Sequence, residues 1–239
     1  MKKLSISLDQ IGLLRESRRL RSPDPVAAAA LAEMAGADSI CVHLRLDRRS
    51  IRERDLFILR ETIKTRLNLQ VAPKAEMLNL ISEIKPQEVT LLPERAGELY
   101  TERGLLTDDP EEFDRDFMAQ IQATGARLFL LLEPENDDIK AAAKASCDGV
   151  QLYTNNFVTA KSDHDYQLEL GKIEKSAELA VKHNLEVRVG GGLNYRNIFP
   201  LVKNQNISEY VVGHAVVAQA LVVGLQKALE DMVTIVKWS

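Results

Sequence analysis

The feature that most constrains the fold of this chain is a strict alternation of short apolar segments with longer amphipathic ones. Strands are predicted at residues 4–8, 39–43, 67–71, 88–92, 127–132, 149–152, 185–189 and 210–212. Some of these segments, such as residues 128–132, are continuous apolar runs, which are typical of strands buried on both faces of a parallel sheet. The alternation therefore predicts a parallel sheet covered by helices.

The segments between the predicted strands carry helix signals. Helices are predicted at residues 26–34, 52–64, 74–83, 110–124, 135–145, 164–182, 195–203 and 216–236, with an extra short helix at 10–20 after the first strand. Pro25 and Gly36 stand where a helix starts and stops, and Pro110 marks another start. Eight β–α units in 239 residues predict one domain, residues 1–239, folded as a single (β/α)8 TIM barrel of the α/β class.

An open doubly wound sheet is the alternative fold. Such a sheet normally places a glycine-rich turn directly after its first strand. Here Ser7, Asp9 and Gln10 occupy that position, and the clustered glycines come late in the chain. The barrel is therefore the favoured prediction.

Composition narrows the expected partners and location. The net charge of −4 is unlike the basic balance of nucleic-acid binders, and no apolar run approaches the ~20 residues of a membrane helix. The apolar stretch after Met1 is broken by polar residues, so no export signal is predicted. Cys41 and Cys147 are interpreted as buried thiols in a reducing compartment. We therefore expect a cytoplasmic protein that binds neither nucleic acid nor membrane.

Two glycine groups follow the last two predicted strands, where barrels often bind phosphate. Gly191 and Gly192 end strand seven, and Gly213 with His214 ends strand eight just before a helix. Glycine lets backbone amides approach an anion, and a helix N-terminus favours negative charge. Tight turns alone would also explain these glycines. Their joint position predicts a site for a phosphorylated ligand or inorganic phosphate.

A histidine and several arginines follow strand two. His43 and Arg45 alternate in direction with Leu44, so both can face the barrel mouth, with Arg48 and Arg49 close behind. His43 is a candidate acid or base near neutral pH, and Arg45 is a candidate anion contact. A solvated basic loop is the other interpretation. No spacing typical of metal ligands occurs in the sequence, so no metal is predicted.

These segments resemble the pyridoxine 5'-phosphate synthase family of vitamin B6 biosynthesis. The stretches that carry the resemblance are Pro23-Asp24-Pro25-Val26, Ala35-Gly36-Ala37-Asp38, Val42-His43-Leu44-Arg45, Asp47-Arg48-Arg49, Arg66-Leu67-Asn68-Leu69, Leu92-Pro93-Glu94, Thr101-Glu102 with Gly104-Leu105, and Val212-Gly213-His214-Ala215. The resemblance implies a transferase with a (β/α)8 barrel. It would condense 3-amino-2-oxopropyl phosphate with 1-deoxy-D-xylulose 5-phosphate without a metal or organic cofactor. It also implies a homo-oligomer, an octamer in the family.

The resemblance assigns roles to individual residues of this chain. His43 matches the family's general base. Arg18, Gly192, Gly213 and His214 match its aminoketone-phosphate contacts, and Asp9 and Arg45 match its pentulose-phosphate contacts.

The chain departs from the family at several acid–base positions. Gln70 stands where the family has a glutamate base, and Gly191 stands where it has a histidine proton donor. Other positions at which the family residue is replaced are Ser7, Gln10, Ser50, Tyr100 and Gln151. Loss of a general acid or base typically costs ~10²–10⁴ in rate. We expect Gln70→Glu with Gly191→His to raise turnover more than either change alone.

Three functions remain open from the sequence. The chain is a divergent synthase with impaired acid–base chemistry, a related barrel enzyme acting on a different phosphorylated substrate, or a non-catalytic homologue that binds a phosphorylated ligand.

Overall fold

The computed structural model describes residues 1–95 and 97–238, and in it eight parallel strands close into a barrel. The strands are β1 Lys3–Ser7, β2 Ser39–His43, β3 Arg66–Val71, β4 Glu88–Leu91, β5 Arg127–Leu132, β6 Gly149–Tyr153, β7 Glu186–Gly190 and β8 Glu209–Val212. Each pairs with its neighbours in sequence, and β1 closes the sheet against β8 with Leu4 opposite Tyr210. The predicted (β/α)8 barrel is confirmed.

Helices connect the strands around the outside of the barrel. They are α1 Asp9–Glu16, α2 Pro25–Ala35, α3 Glu53–Thr62, α4 Ala75–Ile84, α5 Arg115–Ala123, α6 Asn136–Lys144, α7 Asn155–Val158, α8 Asp163–Lys182, α9 Phe199–Val202, α10 His214–Val223 and α11 Leu225–Trp238. The extra helix predicted after the first strand is α1. None of the helices in the described ranges has the length and apolar character needed to cross a bilayer.

Several predicted helix boundaries were wrong for local reasons. The helix predicted at 110–124 begins only at Arg115, because the Asp114 carboxylate accepts hydrogen bonds from the first free amides of α5. The helix predicted at 216–236 is two helices, because Gly224 adopts a positive φ of 84° and breaks the run. The helix predicted at 10–20 ends at Glu16, and the left-handed Arg19 follows shortly after.

Two further differences concern short helices. The segment predicted as a helix at 195–203 is helical only over α9, because the Asn194 side chain accepts the Arg196 and Asn197 amides in a turn before it. The four-residue helix α7 was not predicted, because a single turn carries no apolar period.

The strands present an apolar face to the helices and a largely polar face to the barrel interior. On β2, Ile40 and Val42 join the large core between sheet and helices, whereas Ser39, Cys41 and His43 alternate onto the opposite face. Both sets are buried. The main hydrophobic core is therefore the layer between strands and helices, and the barrel interior is free to carry polar chemistry.

A buried ion cluster fills the barrel near the N-terminal ends of its strands. The guanidinium of Arg188 lies 2.7 Å from a carboxylate oxygen of Glu88 and 2.9 Å from one of Glu209, and all three side chains are fully buried. The same guanidinium sits 3.4 Å from the centre of the Phe129 ring, and Arg66 contacts both carboxylates from the rim. Because charged groups already occupy this end, the opposite end is the one open to a ligand.

Candidate active site

A cavity of about 470 Å³ opens at the C-terminal ends of the strands. Twelve of the thirteen site residues predicted from the sequence line it: Ser7, Asp9, Gln10, His43, Arg45, Ser50, Gln70, Tyr100, Gly191, Gly192, Gly213 and His214. Arg18 is the exception, because it is exposed in the turn after α1 and does not line the cavity. A second cavity of about 520 Å³, on the outer surface near Asp109 and Lys140, contains none of the predicted residues.

Asp9 and His43 line the cavity side by side and are joined by a hydrogen bond. One Asp9 carboxylate oxygen accepts the His43 backbone amide at 2.7 Å, and the other accepts the Ser7 hydroxyl at 2.7 Å. Burial raises the pKa of Asp9, while the nearby His43 and these hydrogen bonds oppose the rise. The His43 Nε2 atom is buried and has no hydrogen-bond partner among the described residues. No hydrogen bond from the described residues therefore competes for a proton at this ring nitrogen.

Arg45 is held by acidic side chains. Its Nη2 lies 3.3 Å from Glu94 Oε1, and its Nε lies 3.4 Å from Asp47 Oδ1. Of the two arginines that follow in the loop, Arg49 lines the cavity and Arg48 turns away to Glu53 at 2.6 Å. The cation predicted to contact substrate is thus already partly neutralised by the protein.

Glu94 belongs to this group, although the sequence reasoning assigned it no role. It follows β4 in the segment Leu92-Pro93-Glu94, and its position just after a strand end was the available signal. Both of its carboxylate oxygens accept the Leu46 amide, at 3.1 and 3.0 Å. Burial raises the pKa of Glu94, but His43, the Leu46 amide and Arg45 outweigh it and hold the pKa below its usual value.

Two carboxamides face each other below these groups. Gln70 on β3 donates from Nε2 to Gln151 Oε1 on β6 at 3.4 Å, and both side chains are buried. Gly190 leaves room for this pair, since a Cβ there would lie 2.9 Å from Gln151 Nε2. Neither carboxamide takes up a proton near pH 7, so this part of the site can bind and orient but cannot act as a base.

The glycines after β7 and β8 form a concave backbone surface at the mouth. Gly213 is the N-cap residue of α10, and a Cβ there would lie 2.8 Å from Ser7 Cβ. The first amides of α10 have no partner within the helix, so they can bind an anion. Gly192 lies nearby with a φ of +77°, a conformation that side chains disfavour.

Tyr153 forms the wall beside this surface. It clusters with Leu92 and Leu131, and its hydroxyl donates to the Thr101 carbonyl at 2.5 Å. A Cβ at Gly191 would lie only 2.6 Å from its ring. Tyr153 and Leu131 line the cavity but were not predicted as site residues, because an aromatic residue or a leucine on a strand is equally typical of the core.

The fold has many structural neighbours among solved barrels. Phosphoribosyl anthranilate isomerase from Thermotoga maritima matches with a TM-score of 0.66 at 12% identity, over 99% of both chains. A mutant tryptophan synthase alpha-subunit from Pyrococcus furiosus matches with a TM-score of 0.66 at 15% identity, over 98% of this chain and 97% of that one. At such low identity these neighbours establish the fold alone.

Sequence relatives are much closer. Pyridoxine 5'-phosphate synthases from Geotalea uraniireducens and Geotalea daltonii are 43% and 44% identical to this chain, each over 100% of both chains. The synthase from Trichodesmium erythraeum is 39% identical over 97% of both chains. The family model described as pyridoxal phosphate biosynthesis protein PdxJ matches residues 4–238. These matches extend over nearly the whole barrel, and they show that the chain belongs to the PdxJ family of pyridoxal phosphate biosynthesis proteins.

Proposed function

We propose that this chain is a pyridoxine 5'-phosphate synthase that condenses 3-amino-2-oxopropyl phosphate with 1-deoxy-D-xylulose 5-phosphate, releasing inorganic phosphate and water. The observation that carries the proposal is that the His43 imidazole, whose Nε2 has no hydrogen-bond partner among the described residues, meets the glycine surface at Gly191, Gly192 and Gly213 in one cavity. One group supplies a base, and the other accepts a phosphate.

The residues divide between binding and proton transfer. The backbone amides at the start of α10, with Gly192 beside them, bind the phosphate of the aminoketone substrate. His43 takes protons from the substrate, while Asp9 fixes its backbone through the 2.7 Å hydrogen bond. The Gln70–Gln151 pair hydrogen-bonds carbonyl or hydroxyl groups of the pentulose substrate.

The cavity lacks several of the acid and base side chains that the family resemblance implies, and this lowers the expected rate. At three positions where the family resemblance implies an acid or base, the cavity wall presents carboxamides at Gln70 and Gln151 and a bare backbone at Gly191. A missing general acid or base typically costs ~10²–10⁴ in rate, although the effects of groups that act together do not add simply. We therefore propose a synthase that turns over more slowly than a relative with glutamate and histidine at positions 70 and 191.

The test is formation of pyridoxine 5'-phosphate from the two substrates by the purified chain and by its His43→Ala variant. We expect slow turnover by the parent that falls at least ~10²-fold in the variant. Calorimetry with inorganic phosphate, on the parent and on Gly213→Ala, tests the binding part separately. Turnover by the parent equal to that of a relative with the full acid–base set would refute the expectation that the replaced side chains slow the reaction.

A second candidate rests on the paired carboxamides, which favour binding over proton transfer. In this alternative the chain holds a phosphorylated ligand without turnover, or acts on a different phosphorylated substrate. Phosphate binding that is lost in Gly213→Ala, combined with no product from the two family substrates, would support it over the synthase.

A further inference from the structure

Glu94 lies among three groups of the proposed active site without lining the cavity itself. Its side chain is 4% exposed, and its carboxylate is 3.7 Å from His43 Nε2 and 3.3 Å from Arg45 Nη2. The Leu46 amide donates to both of its oxygens, so the carboxylate is held in place by the backbone of the loop that follows β2. One side chain after β4 thereby fixes the chain after β2.

The charges around His43 come from three separate elements. Asp9 at the start of α1 approaches its backbone, Arg45 belongs to the following loop, and Glu94 approaches its ring from the end of β4. On β3 the neighbour in register is Gln70, which carries no charge. Two carboxylates and one guanidinium therefore surround an imidazole. Among the residues that the structure describes, Glu94 is the carboxylate within 4 Å of the ring nitrogen that lacks a hydrogen-bond partner.

A proton taken up by the His43 ring changes the balance of charge around it. When the ring accepts a proton from substrate, the electron pair of the broken bond stays on the substrate and the ring becomes an imidazolium. A carboxylate at 3.7 Å in a buried setting stabilises this cation more strongly than it would in water. The low pKa of Glu94 means that its carboxylate is already charged before the proton arrives and gives up none of its own.

We infer that Glu94 is the positioning residue of the catalytic base: its carboxylate stabilises protonated His43 and holds Arg45 and the loop after β2 beside it. The inference rests on the proposed function only in taking His43 as the base. Glu94 needs no contact with substrate in this role.

The test follows the ionisation of the His43 ring by NMR in the full-length chain, so it does not depend on turnover. The chain has four histidines, and a His43→Gln variant assigns the signal. Glu94→Gln keeps an oxygen for the Leu46 amide but removes the charge. We expect the midpoint of the His43 titration to move to lower pH by about one unit or more, while the other three histidines stay unmoved.

Two further variants separate charge from structure. Glu94→Asp keeps the charge on a shorter side chain, so the His43 midpoint should stay closer to that of the parent than in Glu94→Gln. Glu112→Gln is the matched control, because Glu112 forms an ion pair with Arg103 in the connection between β4 and α5, away from His43. It should leave the His43 midpoint unchanged.

An unchanged His43 midpoint in Glu94→Gln, or an equal shift in Glu94→Asp, would overturn the inference. If Glu94→Gln fails to fold, Glu94→Ala removes the charge in its place and should lower the His43 midpoint likewise, so that an unchanged midpoint in Glu94→Ala would overturn the inference. Where turnover is measurable, the acidic limb of kcat/KM should move with the NMR midpoint. Absence of turnover with a clear NMR shift would count against the proposed function and leave the role of Glu94 standing.

Discussion

The contact between Gly191 and Tyr153 determines what the wall between β6 and β7 can hold. Gly191 has a φ of +116°, and a Cβ added there would lie 2.6 and 2.7 Å from two ring carbons of Tyr153. The ring cannot turn aside freely, because its hydroxyl donates a hydrogen bond to the Thr101 carbonyl. In addition, the Thr154 amide donates to the Gly190 carbonyl and so holds the end of β6 in place. Gly191→Ala therefore tests how tightly the Tyr153 ring packs against Gly191.

The magnitude follows from two separate costs. A side chain on left-handed backbone costs about 1–3 kcal/mol. Displacing a packed ring by an inserted methyl group costs about 1–3 kcal/mol more. We expect Gly191→Ala to lower the free energy of unfolding, measured by urea denaturation, by about 2–6 kcal/mol, the sum of the two.

A double-mutant cycle separates these costs. In a Tyr153→Ala background the ring is gone, so Gly191→Ala should cost only the backbone part, about 1–3 kcal/mol. The difference between the two backgrounds is the coupling energy of the contact. Equal costs of Gly191→Ala with and without the ring would refute the reasoning.

The contact between Gly191 and Tyr153 also affects how much turnover is gained when the family's side chains are restored. The sequence predicts that Gln70→Glu with Gly191→His raises turnover more than either change alone. With the ring of Tyr153 in the space that a histidine Cβ would need, we expect a gain only when Tyr153→Ala is added. Turnover of the double and triple variants on the two synthase substrates measures this. A gain in the double variant equal to that in the triple one would show that the ring yields without help.

Three further predictions concern stability and assembly. Arg188→Met removes the buried guanidinium between Glu88 and Glu209, to which Arg66 at the rim still pairs, and should lower the free energy of unfolding in urea by up to about 3–5 kcal/mol. A loss below about 1 kcal/mol would contradict the buried cluster. Burial raises the pKa of Asp47, but Arg49 outweighs it and lowers the pKa to about 2, below the value near 3.9 of an unfolded chain. Asp47→Asn should therefore lose stability above about pH 4 and match the parent only as pH falls through about 2. Because Asp47 is 43% exposed, solvent limits that loss to about 1 kcal/mol, and a difference independent of pH would refute it. Leu221 and Val222 on α10 are 79% and 81% exposed, and exposed apolar side chains of this kind are typical of contacts between subunits. We therefore expect light scattering to give a mass above the 26.7 kDa of one chain, and Leu221→Asp to reduce it. A parent mass of 26.7 kDa at micromolar concentration would refute assembly.

Much of the barrel was predictable because its signals are local. Apolar runs, turn residues and helix caps lie within a few residues of one another, and eight repeats of one pattern leave few ways to close a sheet. Strand ends were predictable for the same reason, and this placed His43, Gln70 and Gly213 at one mouth. Helix boundaries at Asp114 and Gly224 were missed, because a cap or a positive φ overrides the apolar pattern there.

Contacts across the barrel were decided only by the tertiary structure. Nothing in the sequence places Arg188 between Glu88 and Glu209, or Glu94 beside His43, because each pair depends on strand register and on how the barrel closes. Arg18 fails to reach the cavity for a similar reason, since the turn after α1 directs it to solvent. The amino-acid sequence thus determined the barrel and the end that carries the polar site, whereas the long-range packing of side chains decided which groups meet there.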